Sequence, residues 1–288
     1  MILPGSHSQS LSARLAAATD HDLASVRYER FPDGELCAAL AEPDADALTD
    51  AHAVVVASTT TSDAHLELLQ LQDAAREAGA NKVTTVIPYM GYGRQDKAFK
   101  PGHPISARAV ARAISTGTDR VLLVSPHEPD VAEFFDVPCE LVEGAARLAE
   151  PLPADLDDPV FVSPDEGAID IAEQARDAYG AGAVDYFEKD RDYDTGAVEI
   201  SPGNADVAGR DVVLVDDIVA TGSTMSEAID ALHDRDVGRV FVVCVHPLLV
   251  ADARTKLERA GLAGIWGTDT VERDVSAVSV APLLADLV

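Results

Sequence analysis

Two adjacent acids and a hydroxyl-rich turn occur together in the sequence VVLVDDIVATGST, residues 212–224. An apolar run typical of a buried strand leads to Asp216 and Asp217, and the turn 220–224 leads into a helical pattern. Carboxylates accept hydrogen bonds from hydroxyls or bind metal ions, whereas N–H and O–H groups at a helix N-terminus bind anions. The stretch therefore predicts one site for two kinds of chemical group.

The turn has no lysine of a Walker A motif, so its anion site would be built from backbone N–H groups and hydroxyls. The alternative is that the acids only end a strand and that Ser223 or Thr224 caps a helix. Two acids directly after a short apolar run favour the functional interpretation. The predicted anion-binding residues are Ala220, Thr221, Gly222, Ser223 and Thr224.

The elements that position this site are short β-rich runs alternating with Ala- and Leu-rich helical stretches, which indicates parallel α/β units. One predicted helix covers 63–78, capped by Ser62 or Asp63 and stopped by Gly79, and another covers 104–115. Ligands of such sheets bind at the carboxyl ends of the strands. Strands are predicted at 25–31, 52–58, 82–88, 120–125, 159–163, 183–187, 211–215, 239–245 and 264–267.

The proline- and acid-rich segment 151–159, PLPADLDDP, suits a surface connection between two domains of similar size. We expect domains at 1–150 and 151–288, each a mostly parallel sheet flanked by helices. The last residues of the chain, about ten of them, are expected to return to the N-terminal domain.

The charge balance excludes one class of partner. The chain has 50 Asp plus Glu against 22 Lys plus Arg, a formal net charge of -28, so nucleic acid is not an expected partner. Acids scattered along the whole chain suggest a hydrated surface adapted to a salt-rich cytoplasm, and an ordinary acidic enzyme is the alternative.

The cysteines and the apolar runs indicate the cellular compartment in which the protein is expected. Cys37, Cys139 and Cys244 are far apart and odd in number, which favours buried thiols in a reducing compartment over disulfides or zinc. No basic leader precedes an apolar run, and no apolar run is long enough to span a bilayer. We expect a soluble cytoplasmic protein.

The stretch 212–224 resembles the phosphoribosyl diphosphate (PRPP) loop of type I phosphoribosyltransferases and of ribose-phosphate diphosphokinases. The resemblance implies that Asp216 and Asp217 hold the ribose 2- and 3-hydroxyls and that 220–224 hold the 5-phosphate. It also implies a type I phosphoribosyltransferase-like fold. The loop alone does not separate synthesis of PRPP from its consumption.

Two segments of the first half, FPDGE at 31–35 and PYMGYGRQDK at 88–97, are similar to ATP-binding segments of ribose-phosphate diphosphokinases. The resemblance implies that Phe31 stacks on adenine and that Asp33, Gly34 and Glu35 meet its amino edge. It also implies that Arg94 and Gln95 contact the nucleotide. FPDGE alone favours a Pro-Asp-Gly turn, but its occurrence with GRQDK favours ATP binding.

Two predicted strand ends carry residues that the family uses at Mg²⁺, His127 in VSPHE and Asp165 in VSPDEG. Mg²⁺ prefers oxygen ligands, so His127 is the weaker candidate for direct binding. His127 could instead hydrogen-bond a loop, and Asp165 could cap a helix. The usual family wording at the first position is DLH, from which VSPHE departs.

The segment YFEKDRDYDTGAVEI, 186–200, resembles the catalytic flap of the same family. The resemblance assigns Lys189 and Arg191 to stabilisation of negative charge on the transferring group and Arg191 also to ribose 5-phosphate binding. Asp190 stands where the family has a basic residue, although the spacing of the cations is retained. The alternative is a solvated hairpin with alternating charges.

Together the motifs span the chain and predict a ribose-phosphate diphosphokinase that uses ATP, ribose 5-phosphate and Mg²⁺. The family implies a homo-oligomer, a dimer or a hexamer, without nucleic acid or membrane partners. A PRPP-consuming phosphoribosyltransferase and a catalytically silent regulatory homologue are the alternatives. Formation of AMP from ATP and ribose 5-phosphate separates these functions.

Overall fold

A computed structural model describes residues 1–191, 198–202 and 205–288, and for 188–191 and 198–202 it describes the backbone only. Unit 1 contains Met1–Glu143, Asp269–Glu272 and Ser279–Val288, and unit 2 contains Gly144–Thr268 and Arg273–Val278. The compact units thus divide at 143/144, whereas the sequence interpretation divides the chain at 150/151.

The strands lie in both units. In chain order they are β1 Ile2–Pro4, β2 Val26–Arg30, β3 Leu36–Leu40, β4 His52–Val56, β5 Lys82–Ile87, β6 Arg120–Val124, β7 Cys139–Val142, β8 Val160–Ser163, β9 Ala183–Arg191, β10 Val198–Pro202, β11 Val212–Val219, β12 Val240–Pro247, β13 Gly264–Thr268 and β14 Ser276–Val278. β1, β3, β7, β10 and β14 are not predicted from the sequence.

Helices connect many, but not all, of the consecutive strands. They are α1 Gln9–Ala18, α2 Glu42–Asp46, α3 Ser62–Glu77, α4 Ser106–Ser115, α5 Ile169–Tyr179, α6 Ser223–His233, α7 Ala253–Arg259 and α8 Ala281–Leu284. Among the described residues, no helix is both long and apolar enough to cross a membrane.

The main sheet of unit 1 is parallel, with the strand order β1-β4-β5-β6-β7. β4 and β6 are almost continuous apolar runs, which is typical of parallel strands covered on both faces. Val54 and Val56 pack on α1 and α8, while Val55 faces the core formed with α3 and α4. β2 and β3 form a separate antiparallel hairpin.

The sheet of unit 2 has the order β10-β9-β8-β11-β12-β13-β14 and is parallel except for the β9–β10 pair. Leu214 packs on one side with α6 and α7, and Val213 packs on the other with α5. The predicted α/β class, with mostly parallel sheets flanked by helices, is confirmed.

Two local predictions are wrong, and a third is wrong in part. β11 runs to Val219 because it pairs with the long strand β12, so Asp216 and Asp217 lie within the strand and do not close it. The side chain of Thr61, and not Ser62 or Asp63, caps α3 by accepting from the Ala64 N–H. All three cysteines are free, but only Cys244 is fully buried.

Candidate active site

The turn 220–224 joins β11 to α6 and presents the first N–H groups of that helix. α6 begins at Ser223, with Gly222 as its N-cap at φ 71. The Ser226 N–H donates to the Gly222 carbonyl at 2.8 Å and begins the intrahelical ladder. The N–H groups before Ser226 in the first turn of α6 have no carbonyl acceptor within the helix. This end of α6 is therefore suited to binding an anion.

Asp216 and Asp217 precede this turn on β11. The register between β11 and β8 runs from Val212 to Leu214, so both acids lie beyond the paired part of β8. The Asp217 N–H donates to the Asp216 carboxylate at 2.9 Å, and Asp217 is 8% exposed. Burial, followed by the charge of Asp217, raises the pKa of Asp216 well above its usual range.

Asp165 lies just beyond the end of β8, the strand beside β11. Its backbone carbonyl accepts from the Ser163 hydroxyl at 2.7 Å, and it precedes a 3-10 turn at Glu166–Ala168. Its charge is a further cause of the raised pKa of Asp216. The structure therefore brings Asp165 and the acid pair to one edge of the unit 2 sheet, although they are far apart in sequence.

Lys189 and Arg191 belong to β9, on the other side of β8 from β11. β9 continues past its predicted end at 187 and pairs with β10, where Lys189 faces Ile200 in the register and Arg191 faces Val198. The side chains of both cations lie outside the described residues, so their assigned roles stay predictions.

In unit 1, the segment Phe31–Glu35 is the loop of the β2–β3 hairpin. The Phe31 N–H donates to the Glu35 carbonyl at 2.7 Å, and the Asp33 carboxylate accepts from the Glu35 N–H at 3.2 Å. Gly34 has φ 96, a conformation that favours glycine. The Phe31 side chain is 45% exposed, so a large apolar surface is presented to solvent at this loop.

The segment 88–97 forms an ordered loop after β5. Tyr92 has φ 63, and its carbonyl accepts from the Gln95 N–H at 2.9 Å. The Gln95 side-chain oxygen accepts from the Ser106 hydroxyl at 2.6 Å, which ties the loop to the start of α4. Arg94 is exposed between these fixed points.

The first turn of α3 contacts both loops of unit 1. The Asp63 carboxylate pairs with Arg30 at the end of β2, and the Ser62 hydroxyl lies 3.0 Å from the Tyr92 hydroxyl. His65, one turn further along α3, lies 5.5 Å from the Tyr92 ring between centroids. Burial lowers the pKa of His65 to about 4, so its ring is neutral at physiological pH. The two segments compared with ATP-binding sequences are thus held by one helix end.

His127 follows β6, the strand next to β5, and its side chain is exposed. Within the described residues, no group of three or more His, Cys, Asp or Glu side chains is arranged to hold a metal ion. The carboxylates near Asp165 offer the oxygen ligands that Mg²⁺ prefers, whereas His127 offers nitrogen. The donor set therefore fits Mg²⁺ at Asp165 better than at His127.

Sequence reasoning missed one cation near the anion-binding turn. The Lys256 ammonium, on α7, donates to the Thr221 carbonyl at 3.1 Å and to the Ser223 hydroxyl at 3.0 Å. The available signal was the scarcity of lysine in an acidic chain, but no motif linked Lys256 to residues 220–224. The lysines of the chain are Lys82, Lys97, Lys100, Lys189 and Lys256.

Comparison with known proteins gives matches in both halves of the chain. The family model described as the N-terminal domain of ribose phosphate pyrophosphokinase matches residues 1–117, and the phosphoribosyl transferase domain matches residues 140–280. A ribose-phosphate pyrophosphokinase of Halobacterium salinarum is 60% identical over 286 residues, which is 99% of each chain. One from Methanopyrus kandleri is 41% identical over 291 residues, covering 100% of this chain and 98% of the relative.

A solved structure agrees with these matches. The phosphoribosylpyrophosphate synthetase from Mycobacterium smegmatis superimposes with a TM-score of 0.84 at 27% identity, covering 100% of this chain and 96% of that chain. Sequence similarity over nearly the full length, matches to both domain models and a common fold lead to one conclusion. The chain belongs to the ribose-phosphate pyrophosphokinase (ribose-phosphate diphosphokinase) family, whose members are ATP-dependent diphosphotransferases.

Proposed function

We propose that this chain transfers the diphosphoryl group of ATP to the anomeric hydroxyl of ribose 5-phosphate, giving PRPP and AMP, with the residues assigned below. One observation carries the assignment: the half-buried Asp216 and the buried Asp217 on β11 lead directly into an anion-binding turn at the start of α6. A sugar phosphate has hydroxyls at one end and a phosphate at the other, which matches the order of these groups.

Ribose 5-phosphate binds along β11 and α6. Asp216 and Asp217 accept hydrogen bonds from the 2- and 3-hydroxyls and orient the ring. The 5-phosphate lies against the first turn of α6, where N–H groups, hydroxyls and the positive end of the helix dipole favour an anion. The phosphate-binding residues are Ala220, Thr221, Gly222, Ser223 and Thr224.

ATP binds at the two loops that α3 connects. The exposed ring of Phe31 stacks on adenine, and the carboxylates of Asp33 and Glu35 accept from its amino group, with Gly34 allowing the tight turn. Arg94 and Gln95 contact the nucleotide from the loop after β5, and the guanidinium of Arg94 adds positive charge beside phosphate.

Lys189 and Arg191 stabilise the negative charge that develops when the anomeric oxygen attacks the β-phosphorus and the bond to AMP breaks. Arg191 also contacts ribose 5-phosphate. Catalysis in this scheme comes from positioning and electrostatics, and no covalent enzyme intermediate forms.

Mg²⁺ is the proposed cofactor, and its charge would offset that of the ATP and product phosphates. Asp165 would hold the ion together with substrate oxygens, because Mg²⁺ usually binds few protein ligands in such sites. His127, as a nitrogen donor, would act on the ion through water or a phosphate oxygen.

We also propose a homo-oligomer, a dimer or a hexamer, in which a neighbouring copy completes the adenine pocket around Phe31, and a cytoplasmic location. The alternatives considered from the sequence lose support. The match of residues 1–117 to the pyrophosphokinase N-terminal domain disfavours a PRPP-consuming enzyme. Retention of the acid pair and the flap cations disfavours a catalytically silent homologue.

The test is a Mg²⁺-dependent assay of ATP and ribose 5-phosphate that follows AMP and PRPP at high KCl. The Lys189→Ala variant should retain the thermal unfolding midpoint and lose turnover by ~10²-fold or more, because it removes transition-state charge stabilisation. Lys82→Ala, at the amino end of β5, is the matched loss of a lysine and should keep normal turnover. Near-normal turnover of Lys189→Ala would reject the catalytic assignment.

A further inference from the structure

α7 and the segment before it contact the turn 220–224. The N–H groups of Leu249 and Val250 donate to the carbonyls of Val219 and Ala220, each at 3.0 Å. A Cβ on Gly222 would lie 3.3 Å from the Ala253 carbonyl oxygen and 3.4 Å from Leu257. The turn is therefore held by backbone hydrogen bonds from the segment before α7 and by the close packing of Gly222 against α7.

Lys256 is the cation that α7 directs at this turn. Its ammonium lies 3.1 Å from the Thr221 carbonyl oxygen and 3.0 Å from the Ser223 hydroxyl oxygen. The carboxylate of Asp252, one turn earlier, is 3.8 Å away and solvent-exposed. The hydrogen bonds of the Lys256 ammonium are thus to two residues of the proposed phosphate-binding turn. Its ion pair with Asp252 is the more distant contact.

The contact with Lys256 fixes the direction of the Ser223 hydroxyl hydrogen. An ammonium group is a donor only, so the Ser223 oxygen must accept from Lys256. The Thr221 hydroxyl lies 3.4 Å from the same oxygen and can supply a second donated hydrogen bond. The Ser223 O–H is then left to donate to another acceptor at the start of α6.

We propose that Lys256 is a positioning residue for ribose 5-phosphate, acting through Ser223. Its ammonium orients the Ser223 hydroxyl as a donor to the 5-phosphate and adds a positive charge behind the turn, where the helix dipole already favours an anion. This inference rests on the proposed binding of ribose 5-phosphate at residues 220–224. It assigns a function to a residue on a separate helix, outside the motif itself.

The experiment compares Lys256→Met, Lys256→Arg and Arg254→Met at constant KCl, with KM for each substrate, kcat and the unfolding midpoint measured. Lys256→Met should raise KM for ribose 5-phosphate by roughly 10-fold or more, the range for loss of a charge-assisted hydrogen bond, with KM for ATP unchanged. Lys256→Arg should recover most of the affinity. Arg254, on the same helix, pairs with Glu258 at 2.8 Å and does not bond the turn, so its variant should match the parent protein.

A double-mutant cycle with Ser223→Ala tests the route of the effect. If Lys256 acts through Ser223, the two substitutions together should raise KM for ribose 5-phosphate less than the product of the single effects. Effects that multiply fully would overturn the positioning role. So would an unchanged KM for ribose 5-phosphate in Lys256→Met, or an equal rise in KM for both substrates.

The single variants separate this inference from the function on which it rests. If Ser223→Ala raises KM for ribose 5-phosphate and Lys256→Met does not, the turn binds the sugar phosphate and the inference about Lys256 is wrong. If neither variant changes that KM, the assignment of the turn itself is wrong. Direct titration of each variant with ribose 5-phosphate alone provides the same comparison without turnover.

Discussion

At the residue scale, the proposed substrate contacts differ in exposure. Asp217 is 8% exposed within a paired strand, whereas Phe31 is 45% exposed on a hairpin loop. A buried acid contributes to folding as well as to binding, so its replacement affects both. An exposed aromatic ring contributes little to the core, and its replacement can report on ligand binding alone.

We expect Phe31→Ala to raise KM for ATP by roughly 5- to 150-fold, since stacking of a base on an aromatic ring is worth about 1–3 kcal/mol. KM for ribose 5-phosphate and the unfolding midpoint should stay within error, and Phe31→Tyr should retain affinity. Phe99→Ala removes another exposed ring of unit 1, 58% exposed, and serves as the control. An equal effect of Phe99→Ala would contradict a specific role for Phe31.

At the element scale, loops at the carboxyl ends of parallel strands are held by their neighbours. The loop after β5 lies against the segment after β4, where Gly91 donates to the Thr59 hydroxyl at 2.9 Å. A Cβ at Gly91 would come within 2.1 Å of the Thr59 carbonyl oxygen. Real side chains do not reach such distances, so only glycine fits between these backbones.

Gly91→Ala should therefore lower the free energy of unfolding by about 1–3 kcal/mol, because one of the two backbones must move. It should also raise KM for ATP, since Arg94 and Gln95 lie on the displaced loop. Gly102→Ala is the control: its φ of 82 is unfavourable for alanine, but no atom of the described residues lies within 4 Å of the new Cβ. Chemical denaturation and KM measurements check both effects, and a normal KM for ATP in Gly91→Ala would refute the coupling.

At the scale of the whole molecule, the main feature is the large negative net charge and its effect on stability. A formal net charge of -28 on 288 residues implies strong self-repulsion in the compact state. Screening shortens the range of that repulsion from about 10 Å at 0.1 M salt to about 3 Å at 1 M. The 60% identical relative comes from Halobacterium salinarum, in keeping with the acidic composition.

We expect the thermal unfolding midpoint to rise with KCl between 0.1 and about 2 M, by ~2–4 °C for each kcal/mol of stabilisation in a chain of this size. A non-ionic osmolyte at matched osmolality is the control, because it does not screen charge. A midpoint independent of KCl, or an equal rise with the osmolyte, would show that repulsion is not the main destabilising factor.

Local patterns in the sequence predicted much of the fold and the type of ligand. Apolar runs located β4, β5, β6, β11 and β12, because buried parallel strands need apolar residues on both faces. The end of β11 could not be predicted, since pairing with β12 carries it through Asp216 and Asp217. The cap of α3 was also misplaced, because several adjacent residues have side chains that can cap.

The sequence by itself determined the α/β class and the family motifs, and it predicted the ligand chemistry of those motifs. All of these depend on residues close together in the chain. The tertiary structure decided which distant residues interact: Ser62 contacts Tyr92, Lys256 contacts Ser223, and the charge of Asp165 acts on Asp216. Such contacts depend on the register of strands and the packing of helices, to which residues throughout each unit contribute. For that reason Lys256, which belongs to none of the motifs, became a candidate for the sugar phosphate site only in the folded protein.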